Sequence, residues 1–236
     1  MLGALAVSQI AYGRFERARS PAVTRGLVAL MLATSAVEAV ETRGLRRGAL
    51  PVAAAGALGF GAELVGVATG RPFGHYSYSD KLGARVRGVP LLAGAAWALM
   101  ARPAWVVAGQ LTRRRSARVP LAAGALTAWD VFLDPRMARE GYWSWPAGGR
   151  YEGIPASNFA GWFAIGLGVF WLWTALDGDD ANAHGDGDGA LAFYVWTWIG
   201  ESFANAVLWR RPVTAAAGSA AMGTFALPAI AHRLRR

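Results

Sequence analysis

The stretch WDVFLDPRMAREGYWSWPAGGRYEGIPASNFAGW, residues 129–162, decides how the rest of the chain is read. It opens inside an apolar segment, is expected to leave it at Asp134-Pro135, crosses a polar loop dense in aromatic residues and enters a second apolar segment at Asn158. This pattern predicts two helices joined by a polar, aromatic turn. On the first helix Asp130 and Asp134 are four residues apart, so they share one face about 5 to 6 Å from each other. Two carboxylates that close cannot both ionise freely, and the proton they keep belongs to the pair. Trp129, Trp143, Trp145 and Trp162 bracket the pair with electron-rich rings. Indoles so placed also suit anchoring at a membrane surface, and the sequence leaves both roles open.

Outward from this stretch the same alternation continues. Of the 236 residues, 54% are hydrophobic, and they fall into runs of about 20 separated by short Arg-rich segments, long enough to cross a hydrocarbon layer about 30 Å thick. Spans are expected at Pro21 to Val40, Gly48 to Thr69, Gly88 to Leu111, Ala117 to Leu133, Asn158 to Leu176, Ala190 to Trp209 and Val213 to Ala231. Met1 to Gly13 is apolar but short, and reads as the incomplete start of a span, not as a signal peptide. The expected fold is therefore all-α: one integral-membrane domain over residues 1–236, a polytopic transmembrane helical bundle of about seven to eight spans. The plasma (inner) membrane is the expected location.

Composition removes several function classes. The net charge of +9 comes from Arg residues at span ends, where membrane topology and phospholipid headgroups account for them, so no nucleic-acid partner is expected. Cysteine is absent, which excludes disulfides, thiol catalysis and iron–sulfur ligation. The three histidines, His75, His184 and His232, are far apart in sequence, and no metal site is expected. Residues 177–189, DGDDANAHGDGDG, read as a solvated acidic linker; alternating Asp and Gly suggest a divalent-cation loop, but the spacing of a known calcium loop is missing.

Counting spans places the Gly70 to Arg87 loop and the Asp134 to Ser157 loop on the same membrane face, and the acidic linker opposite points to that face being cytoplasmic. Four carboxylates fall within expected spans: Glu38, Glu63, Asp130 and Glu201. An ionisable group there is a functional candidate by default. At 1.5 Å per residue Glu63, Asp130 and Glu201 lie roughly 9, 6 and 12 Å below the shared face. Three acids from three helices are thus expected to meet beneath the two aromatic loops. Trp198, Glu201 and Asn205 share one helix face, as do Asn158 and Trp162. Arg102 is a candidate ion-pair partner for Glu201 across the bundle.

A carboxyl group enclosed by hydrocarbon is driven toward its neutral form. Beside Trp and Tyr rings, such an acid suits protonation of an unactivated carbon–carbon double bond, with the rings shielding the cation that results. No nucleophile elbow, phosphate loop or dinucleotide fingerprint is present.

Read as motifs, GAELVGVATGRPFGHYSYSDKLG, RGVP at Arg87 to Pro90, WDVFLDP, GYWSW and GIPASNFAGW resemble the carotenoid biosynthesis family that contains the membrane-bound carotenoid hydratases of the bacterioruberin pathway. The resemblance runs from about Gly59 to Trp162 and more weakly to Asn205. It implies an enzyme that adds water to the terminal double bond of an acyclic carotenoid, with no redox cofactor. It also implies a lipophilic carotenoid substrate in contact with membrane lipid, and other carotenoid-pathway enzymes as candidate partners. The family is similar too to the heterodimeric membrane lycopene cyclases, which begin with the same protonation.

The depth of the acids, not the resemblance, nominates the site. Glu63, Asp130, Asp134 and Glu201 are the candidate catalytic acids. Tyr76, Tyr78, Trp129, Trp143, Trp145, Asn158, Trp162, Trp198 and Asn205 are the candidate substrate-binding residues. Cyclisation is the alternative outcome of the same cation, and polar groups at Asp134, Ser157 and Asn158 favour capture by water. A retinal-binding protein needs a membrane-embedded lysine for its Schiff base, whereas Lys81, the one lysine, lies in a polar loop. A transporter remains a third reading, without a clear internal repeat to support it.

Overall fold

The computed structural model describes residues 1–15, 20–177 and 187–236. The acidic linker and its candidate cation loop therefore lie largely outside the described residues, as does the loop around Arg17. Among the described residues the chain is all-α apart from four strands of two residues each. The helices are α1 (Leu2–Arg14), α2 (Pro21–Gly44), α3 (Leu50–Thr69), α4 (Leu91–Leu111), α5 (Arg115–Arg139), α6 (Ala156–Asp177), α7 (Asp188–Phe203) and α8 (Pro212–Leu234).

By length and composition, four helical stretches are able to cross a membrane: Pro21–Thr69, Leu91–Leu111, Ala156–Leu176 and Pro212–Leu234. Together they make this a membrane protein. The count is lower than the seven to eight spans the sequence predicts, for identifiable reasons. Helix α5 carries Arg115, Arg118, Asp130, Asp134, Arg136 and Arg139, which lower its hydropathy, and α7 is only 16 residues long. The first stretch is in fact a hairpin. Gly44 leaves the helical region at φ 75°, a π-helical turn follows over Leu45–Ala49, and a Cβ on Gly48 would lie 2.2 Å from the carbonyl oxygen of Ala39. Nine residues of unbroken helix would separate those positions by about 13 Å, so the chain has folded back on itself.

Helix α4 is the central post, buried along most of its length and packed against α2, α3, α5, α7 and α8. Small residues allow this. Gly56 and Gly94 bring the backbones of α3 and α4 together, and Gly166 seats α6 on Ala123 of α5. Close backbone approach is how helices gain packing energy where lipid removes the hydrophobic drive. Large apolar side chains such as Val65, Trp171, Val213 and Leu227 face outward.

Two helix ends differ from the sequence expectation. The helix expected to stop at Asp134-Pro135 continues as α5 through Pro135 to Arg139. A proline in a helix frees the carbonyl four residues earlier, here Val131, and that oxygen accepts a 2.8 Å hydrogen bond from the Tyr151 hydroxyl. The lost bond is replaced, so the helix persists. Conversely α7 ends at Phe203 instead of Trp209, and a π-helical turn occupies Ala204–Leu208. The Asn205 side chain donates to the Glu201 carbonyl at 2.9 Å, competing with the backbone for that acceptor, and the ladder widens. Helix α4 runs through Pro103 without a break.

The two aromatic loops emerge together and join. Strand β1 (Ser77–Tyr78) pairs antiparallel with β4 (Trp143–Ser144), with Tyr78 opposite Trp143. Between them β2 (Arg85–Val86) and β3 (Val89–Pro90) form a small hairpin. The Ser79 amide donates to the Tyr142 carbonyl at 2.8 Å, and the Trp145 indole N–H donates to the Phe73 carbonyl at 3.1 Å. Placing a methyl at position 48 forces the hairpin of α2 and α3 apart. The Gly48→Ala protein should therefore lose about 1 to 3 kcal/mol of stability, seen as a lower midpoint of thermal unfolding in detergent.

Candidate active site

Beneath the paired loops, residues from four helices and both loops bring three carboxyl groups into one neighbourhood. Glu63 projects from α3 and is 4% exposed. Its Oε2 accepts from the Tyr76 hydroxyl and, at 2.8 Å, from the Tyr78 hydroxyl, while Oε1 accepts from the Trp97 indole N–H at 3.0 Å. Burial and the adjacent Glu63 carboxyl push both loop phenols well above the usual tyrosine range, so they stay protonated and keep donating. Gly59 makes room for the third donor, since a Cβ there would fall 2.1 Å from the Trp97 ring.

Asp130 and Asp134 lie one turn apart on α5, 0% and 3% exposed. Asn158, near the start of α6, divides its amide between them: Nδ2 donates to Asp134 Oδ2 and, at 3.0 Å, to Asp130 Oδ2. Asp134 Oδ1 also accepts from the Trp143 indole N–H at 3.1 Å. Asp130 Oδ1 is enclosed and receives no hydrogen bond among the described residues.

A cavity of about 520 Å³ runs from this cluster between the helices. That is within the usual range for a small-molecule site, about 300 to 1,000 Å³. Glu63, Asp134, Asn158, Tyr76, Tyr78, Trp129, Trp143, Trp145 and Trp162 all line it, whereas Asp130 does not. The rings support one another. Tyr76 stacks on Trp145 at 5.8 Å, Tyr78 meets Trp143 edge-on at 5.6 Å, and Trp162 stacks on Trp97 at 3.9 Å while taking Trp129 edge-on. The result is a largely apolar chamber with rings on its walls and buried acids among them.

Four nominated residues are placed otherwise. Glu201 also lines the cavity, but it is bound to Arg136 of α5 at 2.9 Å. Arg102 does not reach it, because the Arg102 guanidinium is held by Glu38 at 2.9 Å and by Thr42 near the opposite end of α2. The expected pairing of Arg102 with Glu201 is thus corrected to two separate ion pairs. Asn205 is fully buried and does share a face with Glu201, but it donates to that residue's backbone and side chain and is not a lining residue. Trp198 turns away altogether, its indole N–H donating to the Ser219 carbonyl of α8 at 2.9 Å.

Two contributors escaped the sequence reading. Trp97 lay unmarked inside an apolar run; the glycine at 59, one helix earlier, was the trace of its ring. Arg136 falls within the expected Asp134 to Ser157 loop but lies on α5. Its guanidinium lines the cavity over the rings of Tyr12 at 4.5 Å and Trp209 at 5.1 Å, beside Glu201 and Glu140.

Apolar helices around an aromatic-walled chamber with buried acids define a membrane protein with a largely apolar cavity. Residues 24–225 match the model of the carotenoid biosynthesis protein family, and the chain belongs to that family. It is similar to the bisanhydrobacterioruberin hydratase of Haloarcula japonica, with 31% identity over 126 residues. That match covers 51% of this chain and 43% of the relative, so the chain spans less than half the length of the curated protein it matches. No solved structure matches the chain. Replacing Asn158 by Leu strips Asp130 of its donor and leaves a buried polar atom unmatched, which costs about 1 to 3 kcal/mol. Asn158→Leu should accordingly unfold at a lower temperature than the parent in detergent.

Proposed function

We propose that this protein is a carotenoid hydratase, adding water to the terminal double bond of an acyclic carotenoid by acid catalysis. The observation that carries the reading is the shared amide. Asn158 donates to both aspartates while Asp130 Oδ1 is left without a donor, an arrangement that is satisfied when the pair holds one proton between them. Asp134, the member facing the cavity, gives that proton to the less substituted carbon of the double bond. The π electrons form the new C–H bond, and a tertiary cation remains. The rings of Tyr78, Trp143, Trp145 and Trp162 face that charge, each contributing about 0.5 to 2 kcal/mol. A water molecule oriented by Asn158 and the Glu63 carboxyl closes on the cation, and its surplus proton returns to the aspartate pair. Acid and base are thereby restored with no change beyond the added water.

The membrane arrangement follows the same reading. Helices α5 and α7 cross with the four apolar stretches, since α5 lies between α4 and α6 and α7 packs on α4 and α8. That gives seven crossings, with α1 lying alongside as a shorter segment, in one domain of the plasma membrane with the paired loops on the cytoplasmic face. Carotenoid, membrane lipid and neighbouring pathway enzymes are its partners on this view.

Expression in a host that accumulates lycopene tests the reaction. Pigment heavier by one water per modified end is expected; an isomer of unchanged mass with a shorter chromophore would mean cyclisation instead, and unchanged pigment would overturn both. A proton-donating side chain is commonly worth about a hundredfold or more in rate. Asp134→Asn should therefore lower turnover at least that far in the same host while the protein still accumulates in the membrane, and Glu63→Gln should fall by a smaller factor.

A further inference from the structure

The chamber is closed above by the paired loops, yet an extended polyene must lie partly outside it. Along α7 the residues Trp196, Ile199, Gly200 and Phe203 form one stripe toward α1, and all four line the cavity. Ile199 and Phe203, with Ile10 across on α1, are lining residues that are also 52%, 55% and 57% exposed, so the cavity reaches the outer surface of the bundle here. Two contacts tie α1 down on either side of the gap. The Trp196 indole N–H donates to Gln9 Oε1 at 2.6 Å, and the Trp209 indole N–H donates to the Gly13 carbonyl at 3.3 Å. Gly200 borders open space on this side of the cavity: a Cβ built on it would meet nothing within 4 Å.

We propose that this gap between α1 and α7 is a lateral portal, in which the polyene of the substrate lies while its end group reaches the acids, and that Gly200 keeps it open. The proposal rests on the reading of the ligand as an acyclic carotenoid. The exposed side chains that line the opening, Ile10, Ile199 and Phe203, are apolar, and Gln9 beside them is capped by the Trp196 indole, so the opening suits a hydrocarbon held in the bilayer. The hydrocarbon then never crosses water to reach the site.

Binding tests this apart from chemistry. The purified protein in detergent is titrated with lycopene and with acycloretinal, a truncated polyene that keeps one lycopene end and is short enough to lodge inside, each followed by quenching of tryptophan fluorescence. In Gly200→Phe, lycopene affinity should fall about tenfold or more, equivalent to 1.4 kcal/mol, while acycloretinal binds as in the parent. Unchanged lycopene binding by Gly200→Phe would overturn the portal. If Gly200→Phe binds neither ligand, Ile10→Trp, which fills the gap from the exposed side of α1, decides: loss of lycopene alone supports the portal, and parental binding of both refutes it. Should the parent bind lycopene through this gap yet form no hydrated product, the portal stands and the hydratase reading fails.

Discussion

An apolar helical interior offers no partner to a polar group, so every acid buried in it must find its donors on another element of the same chain. This constraint organises the molecule. Glu63 on α3 is held by Trp97 of α4 and two loop tyrosines; Asp130 and Asp134 on α5 are held by Asn158 of α6 and Trp143 of the second loop; Glu38 on α2 is held by Arg102 of α4; Glu201 on α7 is held by Arg136 of α5. Each carboxyl therefore fastens its own helix to a neighbour. Breaking one such buried contact by removing a single partner leaves the other uncompensated, which is far more costly than never having had the pair. The groups best placed for chemistry are for that reason also groups the fold cannot easily do without.

The four carboxyl sites divide into two kinds. Glu38 and Glu201 face guanidinium groups and form ion pairs, with Arg136 further enclosed by the rings of Tyr12 and Trp209. Glu63 and the aspartates are held by neutral donors alone: phenol, indole and amide. Only the second kind retains freedom to gain and lose a proton without dismantling a charge pair, and it is the kind that lies below the aromatic loops. Membership in the carotenoid biosynthesis family fits a chamber of this character.

Much of this was legible in the chain. The four-residue spacing of Asp130 and Asp134, the placement of Asn158 at the head of the next helix, and the even number of helices between the two aromatic loops each have one-dimensional signatures, and the structure brings those residues together. What was hidden depends on distance in space. Pro135 looked like a helix end because the repair of its missing bond comes from Tyr151, sixteen residues later and across a loop. The partner of Glu201 turned out to be Arg136 and not Arg102, because which side chains meet across a bundle is set by the rotation of each helix about its axis, and apolar runs that are hydrophobic on every side do not encode that rotation. Trp198 shares a face with Glu201 in the sequence, yet it leans far enough around α7 to reach Ser219 on α8.

The join between the loops is only two residues long on each side, but it acts as a ruler. Tyr78 and Trp143 stand directly opposite each other, and the first reaches Glu63 while the second reaches Asp134. The spacing between acids that belong to different helices is therefore measured off by strand register. An insertion of one residue in either loop would slip that register and turn one ring to the other face of the ribbon. Loop length, which most membrane proteins can vary freely, is here a dimension of the site itself.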